Sequence, residues 1–327
     1  MILSTNSDLG EFEAIRLAEH VEQVWKAIET ELPRYWQGFI DREAARQPTS
    51  GASKLAAHFG GSTKASSTTG VATNAFAAAV QQYEKAAIKY REFFNPEAMD
   101  EFADDPNSFK LHLSKEVPII SGTLNQRRAE LQKWQRDFRS ARGKDLLEVF
   151  SNVLDFREDW TRSQPDAVYA AHDDPAAFAL DPLDDDEGMT LTSVIGMGIK
   201  SVILYHLDAR IFPQRTRSDL YGFYFLSGMR DFGLPSHSSE FLMVNDREPA
   251  SNGSFIMEHN FWYPYGLFSL YASRLFRWLD HKVREAGGGL DKHVRHVFVA
   301  CFLNSVCSEH TEHMKIMRAH DRFEVPA

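Results

Sequence analysis

Five histidines, His293, His296, His310, His313 and His320, fall within 28 residues near the end of this 327-residue sequence, with Cys301 and Cys307 among them. Neutral imidazole and thiolate are good zinc ligands. Cys307, His310 and His313 follow at spacings of three, which puts them on one face of a helix. No paired CxxC and no HExxH accompanies them. Glu309 and Glu312 make the run equally suited to a solvated helix end. No motif demands a cofactor, and zinc at Cys307, His310 and His313 is the metal expectation the residue types raise.

A second set has acid–base character. His206 and Asp208 stand beside Arg210, Arg215 and Arg217, which would suit a proton-transfer pair with an anion clamp. On a helix, however, positions two apart point about 200° away from each other. The alternative is a helix end at which Asp208 accepts hydrogen bonds. Farther on come His237, Ser238 and Glu240, then His259. Ser238, His259 and an acid can be written as nucleophile, base and orienter, but no GxSxG surrounds any of these serines. The catalytic candidates are therefore His206, Asp208, His237, Glu240 and His259.

A third set is electrostatic. Residues 126–144 hold seven bases, with Glu130 and Asp137 inside and Asp145 just beyond. If 121–142 is one helix, Arg128, Gln132, Gln135, Arg139 and Arg142 fall within about 80° of one another. With Arg136 this stripe suits nucleic acid or an acidic protein surface. The alternative is a solvated face, paired with acids of the same chain. P-loop, dinucleotide-fold and zinc-finger patterns are absent.

These residues sit on a mostly helical pattern. Asp8 and Glu11 read as a helix start, and Leu17, Val21, Val24, Ile28 and Leu32 recur on one face of a long helix that Pro33 bends or interrupts. Residues 48–72 are rich in Gly, Ser and Thr and read as a loop. Phe76, Val80, Tyr83, Ala87, Tyr90 and Phe94 form an aromatic seam at spacings of 4, 3, 4, 3 and 4. The rings read as packing against the first helix; such a seam also serves self-association as a coiled coil, so a homo-oligomer is one expectation. Short pieces follow to residue 120, then a helix over Ser121–Arg142 and another to about Trp160. Thr190–Leu207 and Asp219–Gly228 read as apolar helices. Glu240–Asn245 and Ser254–Met257 read as a small hairpin. An aromatic helix covers Tyr265–Arg284, a break falls at Gly287–Gly289, and a last helix starts near Val294.

The net charge is −10, yet residues 161–190 alone hold eight acids and one base. With Pro165, Pro175 and Pro182 this stretch reads as an acidic linker over 161–189. The expected fold class is mainly α: a long-helix bundle over 1–160, then a compact aromatic-rich helical domain with the hairpin over 190–327. Two cysteines argue against a disulfide scaffold, no apolar run is long enough to span a bilayer, and no signal-like start is seen. The expectation is a cytoplasmic protein without a membrane partner.

One segment carries a resemblance. Residues 201–228, SVILYHLDARIFPQRTRSDLYGFYFLSG, resemble helical regions of prokaryotic restriction and anti-phage defence proteins and of some helix-hairpin-helix DNA glycosylases. Leu207, Phe212, Pro213 and Arg215 carry the likeness, and no glycosylase-type catalytic residue transfers with it. The resemblance implies a defence-associated or DNA-linked role. The combined expectation is an interaction or assembly component that binds a protein partner and nucleic acid; the alternative is a hydrolase or nuclease with its site in the C-terminal half.

Overall fold

A computed structural model describes residues 13–46, 68–128, 131–230, 232–234, 240–241, 244–245, 256–257 and 263–320. The first long helix, α1 (Ala18–Arg46), buries Val21, Val24, Ile28, Leu32, Tyr35 and Phe39 along one side. Pro33 stays within it on the exposed side, so the helix is not interrupted. Leu17 precedes the helix and is 61% exposed, outside the face the spacing assigns it to. The Asp8–Glu11 start and residues 48–67 of the expected loop lie outside the described residues, whereas its last five residues, 68–72, are helical.

Helix α2 (Thr68–Phe93) carries the aromatic seam, and its rings meet rings of the same chain. Phe76 lies 5.3 Å from Phe39 of α1 and 5.3 Å from Phe298. Tyr83 meets Tyr205 edge-on at 5.1 Å. The seam is packing within the chain: Phe76, Tyr83 and Tyr90 are all buried.

Four short helices follow. α3 (Pro96–Ala103) and α4 (Pro106–Glu116) each begin with proline at the first turn and an Asn95 or Asp105 cap. α5 (Pro118–Asn125) and α6 (Gln132–Ser140) replace the single helix expected over 121–142. α7 (Gly143–Ser163) then runs back along α4. Gly143 is required there, because a Cβ would lie 2.2 Å from the Pro106 carbonyl oxygen. Phe93, Phe94, Phe109, Ile120, Phe138, Leu146 and Phe150 share one hydrophobic cluster beneath these helices.

The acidic segment is not an exposed linker. It folds into α8 (Asp166–Ala171), a 3-10 turn at Pro175–Phe178, α9 (Pro182–Asp185) and a second turn at Glu187–Met189. Tyr169, Phe178, Leu180 and Leu183 are fully buried. Its acids are held by bases from other elements: Asp166 by Arg295, Asp173 by Arg274 and Arg277 at 3.0 Å each, and Asp181 by Arg16 at 3.3 Å. The buried ammonium of Lys200 donates to the Leu183 carbonyl.

Helix α10 (Met197–Leu207) is shorter than expected, since 190–196 forms a turn closed by a Leu191–Ile195 bridge. α11 (Arg217–Leu226) opens with a full capping box between Thr216 and Asp219. α12 (Tyr265–Glu285), α13 (Arg295–Glu309) and α14 (Thr311–His320) complete the order. Phe39 and Phe76 share a core with Phe212, Leu220, Phe268, Leu275 and Phe302. This cluster joins side chains from both sides of 160–190. Of the expected hairpin, the described residues hold only Val244 opposite Met257 and Asn245 opposite Ile256, while Glu240 and Phe241 are turn. That is too little to constitute the hairpin. No described helix is long and apolar enough to cross a membrane.

Buried histidines give this core a pH signature. The Tyr169 hydroxyl donates to the Ile211 carbonyl at 2.5 Å and lies 3.0 Å from Nε2 of the fully buried His296. Its Nδ1 has no partner, which suits a neutral ring. Burial, helped by Arg295, pushes its pKa well below 6.5. Burial lowers His206 and His310 as well. A histidine with a lowered folded pKa contributes stability that is complete above its unfolded pKa and is lost as pH falls below it. Asp219, raised by burial to about 6, works in the opposite sense between its ordinary 3.8 and 6. The three histidines, with His172 lowered by burial in the same way, outweigh one group. Stability should therefore fall as pH drops from 7 towards 5.5, with His296 alone contributing up to about 1.4 kcal/mol per pH unit. Urea unfolding at several pH values checks this; a flat profile from pH 7.5 to 5.5 would refute it.

Candidate functional site

The electrostatic site is built where α5 ends and α6 begins. The last carbonyls of a helix have no partner within it. Gln135, on the inner side of α6 and buried, supplies one. Its Nε2 donates to the carbonyls of Thr123 at 2.9 Å, Leu124 at 3.3 Å and Gln126 at 2.8 Å. These bonds hold the chain in its turn out of α5, which is why the helix expected over 121–142 breaks. α6 is pinned from below by Phe138, buried and stacked on Trp134, whose Nε1 donates to the Val194 carbonyl at 2.8 Å. Lys110 of α4 closes its far end. Its ammonium donates to the carbonyls of Arg139 at 2.7 Å and Ala141 at 2.5 Å, complementing the negative helix terminus.

On this frame lies an open cavity of about 440 Å³ lined by Leu124, Asn125, Gln126, Arg127, Arg128, Gln132, Gln135 and Arg139. Three arginines line one concavity whose remaining side chains are amides and one leucine. Among the described residues, none of the three makes an ion pair. Three of the eight acids of 161–190, Asp166, Asp173 and Asp181, pair with Arg16, Arg274, Arg277 and Arg295, and among the described residues no ion pair joins the segment to Arg127, Arg128 or Arg139. Guanidinium groups bind phosphate or carboxylate oxygens through paired N–H donors.

The stripe divides here. Arg128 and Arg139 line the cavity, joined by Arg127. Arg142 instead makes two bonds to Asp145, at 2.8 and 2.7 Å. Arg136 lies 3.7 Å from Asp137. Spacing on a single helix could not separate these roles, because Arg128 reaches the cavity from the turn and not from α6.

No protein-family model, curated protein or solved structure matches this chain.

The other candidates are scattered. His206 stacks on Tyr90 at 4.2 Å and 10°, and its Nδ1 bonds the Val202 carbonyl at 2.8 Å. Asp208 ends α10 and accepts from the Arg210 backbone N–H at 3.1 Å and its guanidinium at 3.2 Å. No hydrogen bond joins His206 to Asp208 or Glu240, so the expected acid–base pair is corrected to a helix end. His237 and His259 lie outside the described residues. Glu240 is fully buried, and its partner comes from α1. His20 Nε2 lies 2.6 Å from one carboxylate oxygen, and the Tyr263 hydroxyl donates to the other at 2.9 Å. His20 stands 220 residues from Glu240 and nothing in its neighbourhood marks it, so sequence reasoning missed it.

The zinc candidates have other neighbours. The Cys307 thiol donates to the Ser218 carbonyl at 3.2 Å. His310 lies flat on Phe225 at 3.9 Å, with Nε2 2.8 Å from the Tyr35 hydroxyl. His313 faces Phe225 and Tyr224. These residues share a helix end but turn their ligand atoms to separate partners. No group of three or more His, Cys, Asp or Glu among the described residues is placed to hold a metal. The letters that carry the 201–228 resemblance are core: Phe212 and Arg215 are buried, Leu207 nearly so, and the Pro213 carbonyl accepts from Tyr265 at 2.7 Å.

Proposed function

We propose that this protein is a binding component and that nucleic acid phosphate occupies the cavity between α5 and α6. The supporting observation is the gathering of Arg127, Arg128 and Arg139, without carboxylate partners among the described residues, on one polar concavity. An acidic protein partner would meet the same guanidinium groups. The concave shape and the scarcity of apolar lining favour phosphate over a packed protein interface, which normally centres on aromatic and aliphatic side chains. A role in prokaryotic defence rests on the 201–228 segment alone. Self-association through the 76–94 seam is not part of the proposal, because those rings are buried within the chain. The test is fluorescence anisotropy with a labelled oligonucleotide across a chloride series. Affinity should fall steeply with salt and depend on Arg128 and Arg139; salt-independent binding, or none at low salt, removes the reading.

A second reading, hydrolytic chemistry, is favoured by one observation. The Tyr263 hydroxyl, held protonated by burial, donates to one Glu240 oxygen at 2.9 Å. The other Glu240 oxygen lies 2.6 Å from His20 Nε2 and holds the ring in place, the arrangement by which a carboxyl group orients an imidazole in an acid–base relay. If the reading holds, the protein cleaves an ester or phosphodiester, and His20→Ala lowers the rate roughly 100-fold or more. Wild-type inertness, or full activity in that variant, removes it.

A further inference from the structure

We infer that the junction of α2, α7 and the end of α10 binds a doubly charged tetrahedral oxyanion of the phosphate class, held by the His206 imidazole and the guanidinium groups of Arg91 and Arg157. The site is separate from the cavity between α5 and α6 and does not rest on the nucleic-acid reading. Its first part is a fixed ring. Tyr90 and Tyr83 of α2 lie nearly parallel to the His206 ring, at 4.2 and 5.9 Å, and Tyr205 meets it edge-on at 5.0 Å. The Val202 carbonyl can only accept, so His206 Nδ1, 2.8 Å away, carries the proton. Burial, with Arg91 adding to it, holds the imidazole below its usual pKa against the pull of that bond. The neutral ring keeps its lone pair on Nε2. That atom makes no hydrogen bond among the described residues and is not one of the buried unpartnered atoms, so it touches solvent. A ring held on its faces and through one nitrogen acts through the other.

The second part is a cation without a counter-ion. Arg157 Nε is buried and has no partner, and neither does Thr161 Oγ1, one turn farther along the same face of α7. Burial lowers Arg157, Asp208 and Glu158 oppose the shift, and Arg91 adds to it. The carboxylates of this neighbourhood are committed elsewhere. Asp208 accepts from the Arg210 backbone N–H at 3.1 Å and from its guanidinium at 3.2 Å, and no ion pair joins it to Arg157. Glu158 binds Arg162 at 2.8 Å, and Glu84 binds Arg91 at 3.0 Å. Arg91 also donates to the Tyr83 hydroxyl at 3.3 Å, beside the ring that lies along His206. Its charge bears on both His206 and Arg157, which places the three side chains in one neighbourhood. Buried polar atoms in folded proteins are nearly always paired, and an orphan marks where water or an ion sits. Two guanidinium groups and a partly buried imidazole select an anion over water. A carboxylate offers two oxygens, whereas a tetrahedral oxyanion offers enough to accept from both arginines, from the Thr161 hydroxyl and from a protonated Nε2.

The experiment follows the His206 Hε1 proton of the full-length protein by NMR, assigned through its loss in His206→Gln. The pH titration is run in chloride and again with sulfate, then inorganic phosphate, in its place at equal ionic strength. Sulfate has no proton to exchange near neutrality, so a change in the sulfate titration belongs to the protein. Both anions should raise the His206 midpoint by about half a pH unit or more, roughly a threefold preference for the imidazolium, because anion and proton binding are coupled reciprocally. Arg157→Gln should abolish the rise. Arg91→Gln, at a side chain 44% exposed and therefore safe for folding, should at least halve it. A wild-type midpoint equal in chloride and sulfate overturns the inference whatever the stability of the variants. So does a rise of wild-type size in either arginine variant.

Discussion

Reversing Arg128 and Arg139 together to glutamate is expected to weaken binding of a labelled single-stranded oligonucleotide roughly 30- to 150-fold at 150 mM salt, about 2–3 kcal/mol. Reversing Arg136 and Arg142 is expected to change it less than about threefold. Each exposed arginine–phosphate contact is worth on the order of 1 kcal/mol after screening, and each glutamate adds repulsion in its place. At 150 mM salt the Debye length is about 8 Å, so a reversed charge outside the cavity acts weakly on its contents. Arg142 already has its two bonds to Asp145, and Arg136 has Asp137 nearby. Losing Arg128 and Arg139 should also flatten the salt slope by about 1.4, the share of two single-strand phosphate contacts. All four side chains are exposed, so melting temperatures should stay near wild type. Equal effects from the two pairs would mean that net charge, and not the cavity, attracts the ligand.

That contrast marks the limit of the sequence. Composition put all four arginines on one stripe, because a continuous helix over 121–142 was the simplest reading of the spacing. What breaks the helix is one buried amide. Gln135 can satisfy three carbonyls of the α5 end only once α6 has been docked by Phe138 and Trp134, and no local pattern announces a bond made through tertiary packing. The aromatic seam of α2 was legible for the opposite reason. Period and ring content lie within one element, and burial of that face against any neighbour yields the same spacing. One partner was legible as well, since the seam reads as packing against the first helix and Phe39 of α1 lies against Phe76; nothing local announces Phe298 on its other side. Glu240 was visible as an acid, but its meaning depended on His20 at the other end of the chain. The C-terminal histidines show the converse relation. Residue types suited to zinc were close in sequence, yet Phe225 and Tyr35 had claimed His310.

The acidic segment was misread most, and it supplies the second large expectation. Phe178→Ala should destabilise the protein by about 3–5 kcal/mol, the usual cost of removing a fully buried phenylalanine. In an exposed linker the same change would fall within about 0.5 kcal/mol of neutral. Phe178 is completely buried, with rings of His172 at 5.1 Å and Tyr169 at 5.2 Å edge-on to it. Its carbonyl accepts from Trp160 Nε1 at 2.8 Å, so the turn is fixed from both side chain and backbone. Charge and proline misled because they act on opposite faces of a thin layer. Asp166, Asp173 and Asp181 reach Arg16, Arg274, Arg277 and Arg295 on neighbouring elements, while one apolar residue every few positions points in. A layer one turn thick needs no regular period to bury Tyr169, Phe178, Leu180 and Leu183, and Pro175 and Pro182 start its turns at the position where proline fits best. Against a total stability of about 5–15 kcal/mol, a loss of this size should lower the urea midpoint sharply without changing the slope. Exposed Glu187→Gln, in the same segment, should leave it within experimental error. A Phe178→Ala protein as stable as wild type would return the segment to the status of a linker and detach the two halves of the core from each other.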